Sequence, residues 1–239
     1  MKVLAIDVGG THVKILATDQ KEPQKFVSGP KMTAKQMVST VKKLAAGWNY
    51  EAVSIGYPGP VLHGRILHEP RNLGPGWVNF DFKKAFECPV KVINDAAMQA
   101  LGSYKGGSML FLGLGTGLGS AMIVDGLLEP MEIGHLPYRK ATYEDYVGVH
   151  GLKRFGKKKW RKYVADVVER LAGALEPDDI VLGGGNVKQF QELPKGCREG
   201  DNANAFVGGF RLWTKGESHE RRHRAAHSAA SMGDPQVAL

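Results

Sequence analysis

The chain has 239 residues, 43% hydrophobic and 23% charged, with a formal net charge of +8. No apolar run approaches the ~20 residues a membrane-crossing helix needs, and strand-like residues begin at Lys2-Val3, so neither a membrane partner nor a signal peptide is expected and the predicted location is cytoplasmic. Cys88 and Cys197 are far apart and lack metal-ligand spacing, so they read as reduced thiols.

Val3 to Ile6 is a short apolar run, as in a strand buried on both faces. Asp7 follows, then Gly9-Gly10-Thr11, then a second β-rich run from Val13 to Ala17. This predicts a hairpin whose turn is rich in backbone N–H groups, an anion site by its chemistry. A carboxylate beside such a turn repels a phosphate unless a divalent cation or a water lies between. Asp7 therefore points to a Mg²⁺–phosphate site, with the metal held directly or through water. The alternative is a plain Gly-Gly hairpin. Strand alternation puts His12 and Lys14 on one face, and Thr11 and Val13 on the other.

Thr33 to Trp48 predicts an amphipathic helix, with Met37, Val41, Leu44 and Ala45 on one face. Ala52 to Gly56 reads as a strand running into Tyr57-Pro58-Gly59-Pro60. Phe82 to Phe86 reads as a short helix. Val90 to Ile93 reads as a strand ending at Asn94-Asp95, before a helix from Ala96 to Tyr104. Asp95, just past an apolar strand, is a candidate general base. Asn94 beside it offers both a donor and an acceptor. The same pair also suits a helix N-cap.

The second glycine cluster, Gly113-Leu114-Gly115-Thr116-Gly117-Leu118-Gly119, lies between strand-like runs at Met109-Phe111 and Ala121-Val124. No Gly-Lys-Ser/Thr follows, and no helix follows, so it is neither a Walker loop nor a dinucleotide turn. Leu127 to Pro130 is expected to be a loop. It leads to Glu132-Ile133-Gly134-His135, two polar groups around a glycine. The third cluster, Gly183-Gly184-Gly185-Asn186, follows the strand-like Asp179 to Leu182. The two Gly-Thr hairpins hint at duplication, although no repeat is legible in the residues.

Charge is concentrated in one run: Lys153, Arg154, Lys157, Lys158, Lys159, Arg161 and Lys162, with no acid among them. Trp160, Val164, Val167, Val168, Leu171 and Leu175 have helical spacing, so lysines crowd the first turn of that helix. There they oppose its dipole and each other. A long polyanion would relieve that cost; a solvated basic face is the alternative. Nucleic acid suits the charge, but nothing resembles a nucleic-acid-binding module. Residues 217–239 are expected to be disordered. His219, His223 and His227 are spaced for a helical metal site, a pattern read as fortuitous.

In order along the chain stand DxGGTxxK at 7–14, Asn94-Asp95, LGxGTGxG at 112–119, ExGH at 132–135 and LGGG at 182–185. Together they resemble the ROK sugar kinases of the actin/hexokinase-like superfamily, above all the polyphosphate glucokinase branch. The resemblance covers roughly residues 2–214. It implies an α/β fold of two ribonuclease-H-like lobes around a cleft, divided as 1–94 and 95–201, with a C-terminal helix over 202–216 packing back on the first lobe. It implies a hexose kinase using polyphosphate or ATP with Mg²⁺, and Asp95 as base. The implied sugar contacts are Gly59, Asn72, Asn94, Asp95, Glu132, His135 and Glu144, with Trp77 walling the pocket. The implied phosphate contacts are Asp7, Gly9, Gly10, Thr11, Lys14, Gly115, Thr116, Gly117, Gly183, Gly184, Gly185 and Asn186. Many members bind a structural zinc through this histidine and three downstream cysteines; residues 136–142 hold no cysteine, so no zinc is expected. The resemblance is compatible with a homodimer. The family's DNA-binding repressors carry a segment ahead of the first phosphate loop, and none is expected with Asp7 at position seven.

Overall fold

The computed structural model describes residues 1–214. The expected tail at 217–239, its three histidines and the end of the 202–216 unit lie outside the described residues.

Strand β1 (Val3–Val8) is buried at every position. It forms an antiparallel hairpin with β2 (His12–Ala17), whose Val13, Ile15 and Ala17 face the core. β3 (Gln24–Val27) adds to the edge of β2. Helix α1 (Ala34–Leu44) starts from a reciprocal Thr33–Gln36 capping box and buries Ala34, Met37, Val38 and Val41. It ends at Leu44, short of the expected Trp48, because the chain turns through Gly47 at φ +87°. β4 (Ala52–Tyr57) lies parallel to β1. A small hairpin, β5 (Val61–Leu62) and β6 (Arg65–Ile66), follows. α2 (Phe82–Phe86), capped by Asp81, then leads into β7 (Val90–Asn94), parallel to β4. The first sheet thus runs β3-β2-β1-β4-β7.

α3 (Asp95–Ser103) leads to the second half. β8 (Ser108–Leu114) and β9 (Leu118–Val124) form its hairpin. The segment expected to be a loop is strand β10 (Leu127–Met131), paired with β9. Asp125 and Gly126, both at positive φ, make the two-residue turn that the twist of a hairpin favours. After the hairpin β11 (Pro137–Tyr138) and β12 (Ala141–Thr142) come α4 (Tyr143–Val147) and α5 (Val149–Leu175). β13 (Asp179–Gly183), parallel to β8, β14 (Cys197–Glu199) and α6 (Asn204–Arg211) complete the described chain. The second sheet runs β10-β9-β8-β13-β14. Both sheets share one plan: a three-strand antiparallel meander whose first strand is extended by two parallel strands.

α6 ties the halves together. Gly102 of α3 abuts the Asn204 carbonyl, and Gly208 of α6 abuts the Met98 carbonyl, so neither position has room for a Cβ. The other face of α6 meets the first sheet, where Ser54 Oγ donates to the Gly209 carbonyl at 2.6 Å and Trp213 Nε1 donates to Ser54 Oγ at 2.8 Å. Among the described residues no helix is long and apolar enough to cross a membrane.

Candidate active site

Three parallel strands of the first sheet end together. In their register Asp7 lies opposite Gly56, Gly56 opposite Ile93, and Tyr57 opposite Asn94. Their carboxyl ends deliver Asp7, the Pro58-Gly59-Pro60 loop and Asn94-Asp95 to one edge, where ligands of open α/β sheets bind. Asn94 caps α3: its side-chain oxygen accepts from Ala97 N–H at 3.1 Å. Its amide nitrogen donates to the Gly59 carbonyl at 3.1 Å, fixing that loop to the helix start. Asp95 is the first helical residue and accepts from Ala96 N–H at 2.7 Å. A Cβ at Gly56 would stand 3.4 Å from Asp95 Cα and 2.5 Å from Met98 Cε, so a glycine there gives Asp95 its place.

The first glycine turn is closed by Gly9 N–H donating to the His12 carbonyl, and braced by Ser28, whose hydroxyl donates to the Gly9 carbonyl at 2.7 Å. The other two turns sit side by side, because β8 and β13 are parallel with Gly113 opposite Gly183. Gly184, at φ +84°, presses against the Leu114 carbonyl. Asn186, expected among the phosphate contacts, uses its side-chain N–H on the Gly115 carbonyl at 2.9 Å and so joins the two turns. The N–H groups of Gly10, Thr11, Thr116 and Gly117 make no hydrogen bond among the described residues. The second sheet reaches the start of α3 through Gly119, where a Cβ would lie 2.8 Å from Ala96 Cβ.

A third cluster faces these turns. Glu132 precedes the 3-10 turn Ile133–His135, and Glu144 lies in the first turn of α4, capped by Thr142. His135 Nε2 is 3.6 Å from Glu144 Oε1, and Arg71 Nη1 is 3.4 Å from the same oxygen. The second Glu144 oxygen fills the space a side chain at Gly117 would take. Asn72 packs on the first glycine turn, with its Cβ 3.1 Å from where a Gly10 Cβ would stand. Trp77 is not a pocket wall: it is fully buried in the first core, in ring contact with Tyr57 and Phe82, and its indole N–H donates to the Met32 carbonyl at 3.3 Å. Sequence reasoning passed over Arg71 and Gly56, whose roles depend on neighbours distant in the chain.

The acids are closely coupled. Burial raises the pKa of Asp7, against the Lys14 ammonium, which sits 3.3 Å from its Oδ2 as the in-register cross-strand neighbour. Lys14 is thus engaged with Asp7. Burial first, then the charges of Asp7 and Glu132, push Asp95 up to about 7, against the stabilising Ala96 N–H. Burial and the Glu144 charge raise Glu132, opposed by His135 and Arg71. Among the described residues no group of three or more metal-ligating side chains forms, and Asp7 would offer a divalent ion its carboxylate in competition with Lys14. Asp7 is the carboxylate beside the first glycine turn that would hold Mg²⁺.

The basic run straddles a break. Gly156 (φ +71°) is non-helical inside α5, so Lys157, Lys158 and Lys159 do occupy a first turn, that of the segment beyond the break. Not all the cations are free. Arg161 Nε donates to the Gln189 carbonyl at 2.6 Å, just past the third glycine turn. Arg154 lies over Phe155, and Lys159 lies over Phe155 and Tyr163. Lys153, Lys157, Lys158 and Lys162 are exposed and form no ion pair among the described residues. α5 begins on the second glycine turn, with Val149 N–H donating to the Gly115 and Thr116 carbonyls.

Residues 3–151 match the ROK family. The chain belongs to that family. It is 27% identical over 202 residues to the polyphosphate glucokinase of Mycobacterium tuberculosis, covering 75% of this chain and 76% of the relative. It is 31% identical over 147 residues to a glucokinase of Pyrobaculum calidifontis, covering 56% and 49%. Among solved structures, the inorganic polyphosphate/ATP-glucomannokinase of Arthrobacter sp. strain KM superposes with a TM-score of 0.76 at 25% identity, covering 88% of this chain and 97% of that one. A ROK family glucokinase of Streptomyces griseus, solved with glucose and AMPPNP, superposes with a TM-score of 0.74 at 17% identity, covering 89% and 99%. The ROK chain therefore has the actin-like sugar kinase fold, with one lobe on each five-stranded sheet, and it stands with the polyphosphate glucokinase branch.

Proposed function

We propose that the protein is a hexose kinase that transfers a phosphoryl group from polyphosphate or ATP to the 6-hydroxyl of glucose. The observation that carries this is the position of Asp95: a carboxyl just past a strand end, on the same sheet edge as Asp7, with Gly119 at the end of the second glycine cluster packed against the next residue, Ala96. Asp95 takes the proton from the sugar hydroxyl as the hydroxyl oxygen bonds to the terminal phosphorus and the bridging P–O bond breaks, leaving the shortened donor. Glu132, His135 and Glu144 hold the sugar hydroxyls, with Gly59 and Asn72 lining the same pocket. Asn94 orients both Asp95 and the Gly59 loop through its two hydrogen bonds. The N–H groups of Gly9-Gly10-Thr11, Gly115-Thr116-Gly117 and Gly183-Gly184-Gly185 cradle the donor phosphates, with Lys14 beside them. Asn186 keeps the last two turns in register. Mg²⁺ at Asp7 would neutralise charge on the donor. We take residues 1–94 and 95–201 as the two lobes, with 202–216 returning to the first.

Polyphosphate is favoured as a donor because the exposed cations Lys153, Lys157, Lys158 and Lys162 lie on α5, the helix that begins on the second glycine turn. Seven positive charges in one run exceed what one nucleotide needs. A coupled assay of glucose, mannose and glucosamine against ATP and long-chain polyphosphate tests the reading. Glucose 6-phosphate formation with polyphosphate, steeply weakened by salt, is expected. Turnover with ATP alone would leave an ATP-dependent hexokinase, and no turnover with any donor would leave a sugar-binding protein.

A further inference from the structure

We infer that Arg71 is a positioning residue that clasps the sugar-side cluster to the glycine turns, so that hexose and phosphoryl donor strengthen one another's binding; this rests on the hexose kinase reading above. Arg71–Glu144 is the one ion pair among the described residues that joins the first sheet's half to the second's. Glu144 touches both ligand regions: one oxygen meets Arg71 and His135, and the other lies against Gly117 of the second glycine turn. On the opposite side, Asn72, next to Arg71, packs on Gly10 of the first turn. The pair therefore links both turns to the sugar cluster.

The loop that carries Arg71 is pinned on both sides of it. The Glu69 carboxylate accepts from Trp77 N–H at 3.0 Å and from Val78 N–H at 3.2 Å, closing the base of its loop. Gly74 N–H donates to the Met32 carbonyl at 2.9 Å, and Gly74 lies so near the Lys31 carbonyl that a Cβ would meet it at 2.6 Å. The guanidinium is also a counter-ion for a second acid, since its charge opposes the rise in the Glu132 pKa. The Arg71 side chain is 78% exposed, so in the open cleft water weakens the pair to a small but finite contribution. A sugar filling the cleft expels that water, and the same pair then strengthens. An interaction gained only in the filled cleft appears as coupling between ligands, and coupling is reciprocal.

The test uses the full chain and its Arg71→Ala and Arg71→Lys variants. Glucose affinity is read by calorimetry with and without tripolyphosphate, and turnover with long-chain polyphosphate is read alongside. Arg71→Ala should weaken glucose binding by about two- to fivefold, the range of a lost exposed pair. It should abolish the tightening that tripolyphosphate gives, and leave kcat within about twofold. Arg71→Lys should restore most of the coupling, because a charge remains. In the unliganded protein, hydrogen exchange across 143–148 should be faster in Arg71→Ala. Unchanged coupling and unchanged exchange in Arg71→Ala would overturn the clasp. So would a fall in kcat and melting temperature with glucose affinity intact, which marks a merely structural arginine. If the wild-type protein binds no hexose, the kinase reading fails. The exchange at 143–148 then decides the clasp alone: faster supports it, unchanged overturns it.

Discussion

The Asp7 carboxylate raises the pKa of Asp95 from across the intervening strand β4. Asp7 lies near the end of β1 and Asp95 just past the end of β7, and among the described residues only Asp7 has a basic partner, Lys14. A base held near neutrality is suited to taking a proton at ordinary pH and returning it.

The activity should therefore rise with pH. As the proposed base, Asp95 must be ionised to act, and burial holds it at about 7 in the free protein, so kcat/KM for hexose should climb through that pH. Asp7→Asn removes a repelling charge, so Asp95 ionises more readily and the acid limb should move to lower pH, whatever the loss in absolute rate. A limb that stayed in place would mean that Asp7 and Asp95 do not interact.

The same shift has a consequence for stability. Asp95 holds its proton up to about 7 in the folded state, against an ordinary value of 3.8. Between these values the folded chain binds more protons than the unfolded one, so this group lowers stability as pH rises through the window. Asp95→Asn should flatten that fall and stabilise the fold at pH 8, by about 1 kcal/mol or more. Melting temperatures of the two proteins at pH 4.5 and pH 8 check this: equal gaps at both would contradict it.

Gly56 is a sharper probe of placement than its position inside a strand suggests. A methyl group there meets the flexible end of Met98 and the backbone of Asp95. Gly56→Ala should cost about 1–3 kcal/mol by overpacking. It should also slow turnover by about tenfold or more, since small displacements of a reacting group are expensive. Chemical denaturation and steady-state rates separate the two effects.

Much of this site was legible because its signals are local. A strand ending in glycines, or in Asn94-Asp95, is read from a few adjacent residues; the first turn and that acid share one edge of the first sheet, and the other two turns lie side by side on the second. Strand β10 was missed because Pro130 argues against a strand, although Asp125-Gly126 announces a tight hairpin. The break at Gly156 was hidden because apolar spacing resumes directly after it. Trp77 misled because a tryptophan among glycines and prolines looks exposed, whereas its loop folds back over Tyr57 and Phe82. Arg71 and Glu144 are 73 positions apart, and only the tertiary fold brings them together.

The lysines beyond the glycine turns should serve one donor only. Replacing Lys157, Lys158 and Lys162 with glutamine should raise the KM for long-chain polyphosphate by about tenfold and flatten its salt dependence. The hexose KM should hold, and rates with ATP should change far less. Lys159 is left in place because it packs over Phe155 and Tyr163. Equal losses with both donors would make the run scaffold rather than a polyanion track.

The central claim is that Asp95 is the base of a hexose kinase, and Asp95→Asn tests it most directly. Asparagine keeps the shape and can still accept from Ala96 N–H, but it takes no proton. Turnover of glucose with polyphosphate or ATP should fall by at least ~10²-fold, the usual cost of losing a general base. Glucose binding by calorimetry should stay within about threefold of the unmodified protein. Near-normal turnover in this variant would contradict the assignment of Asp95 and the mechanism built on it.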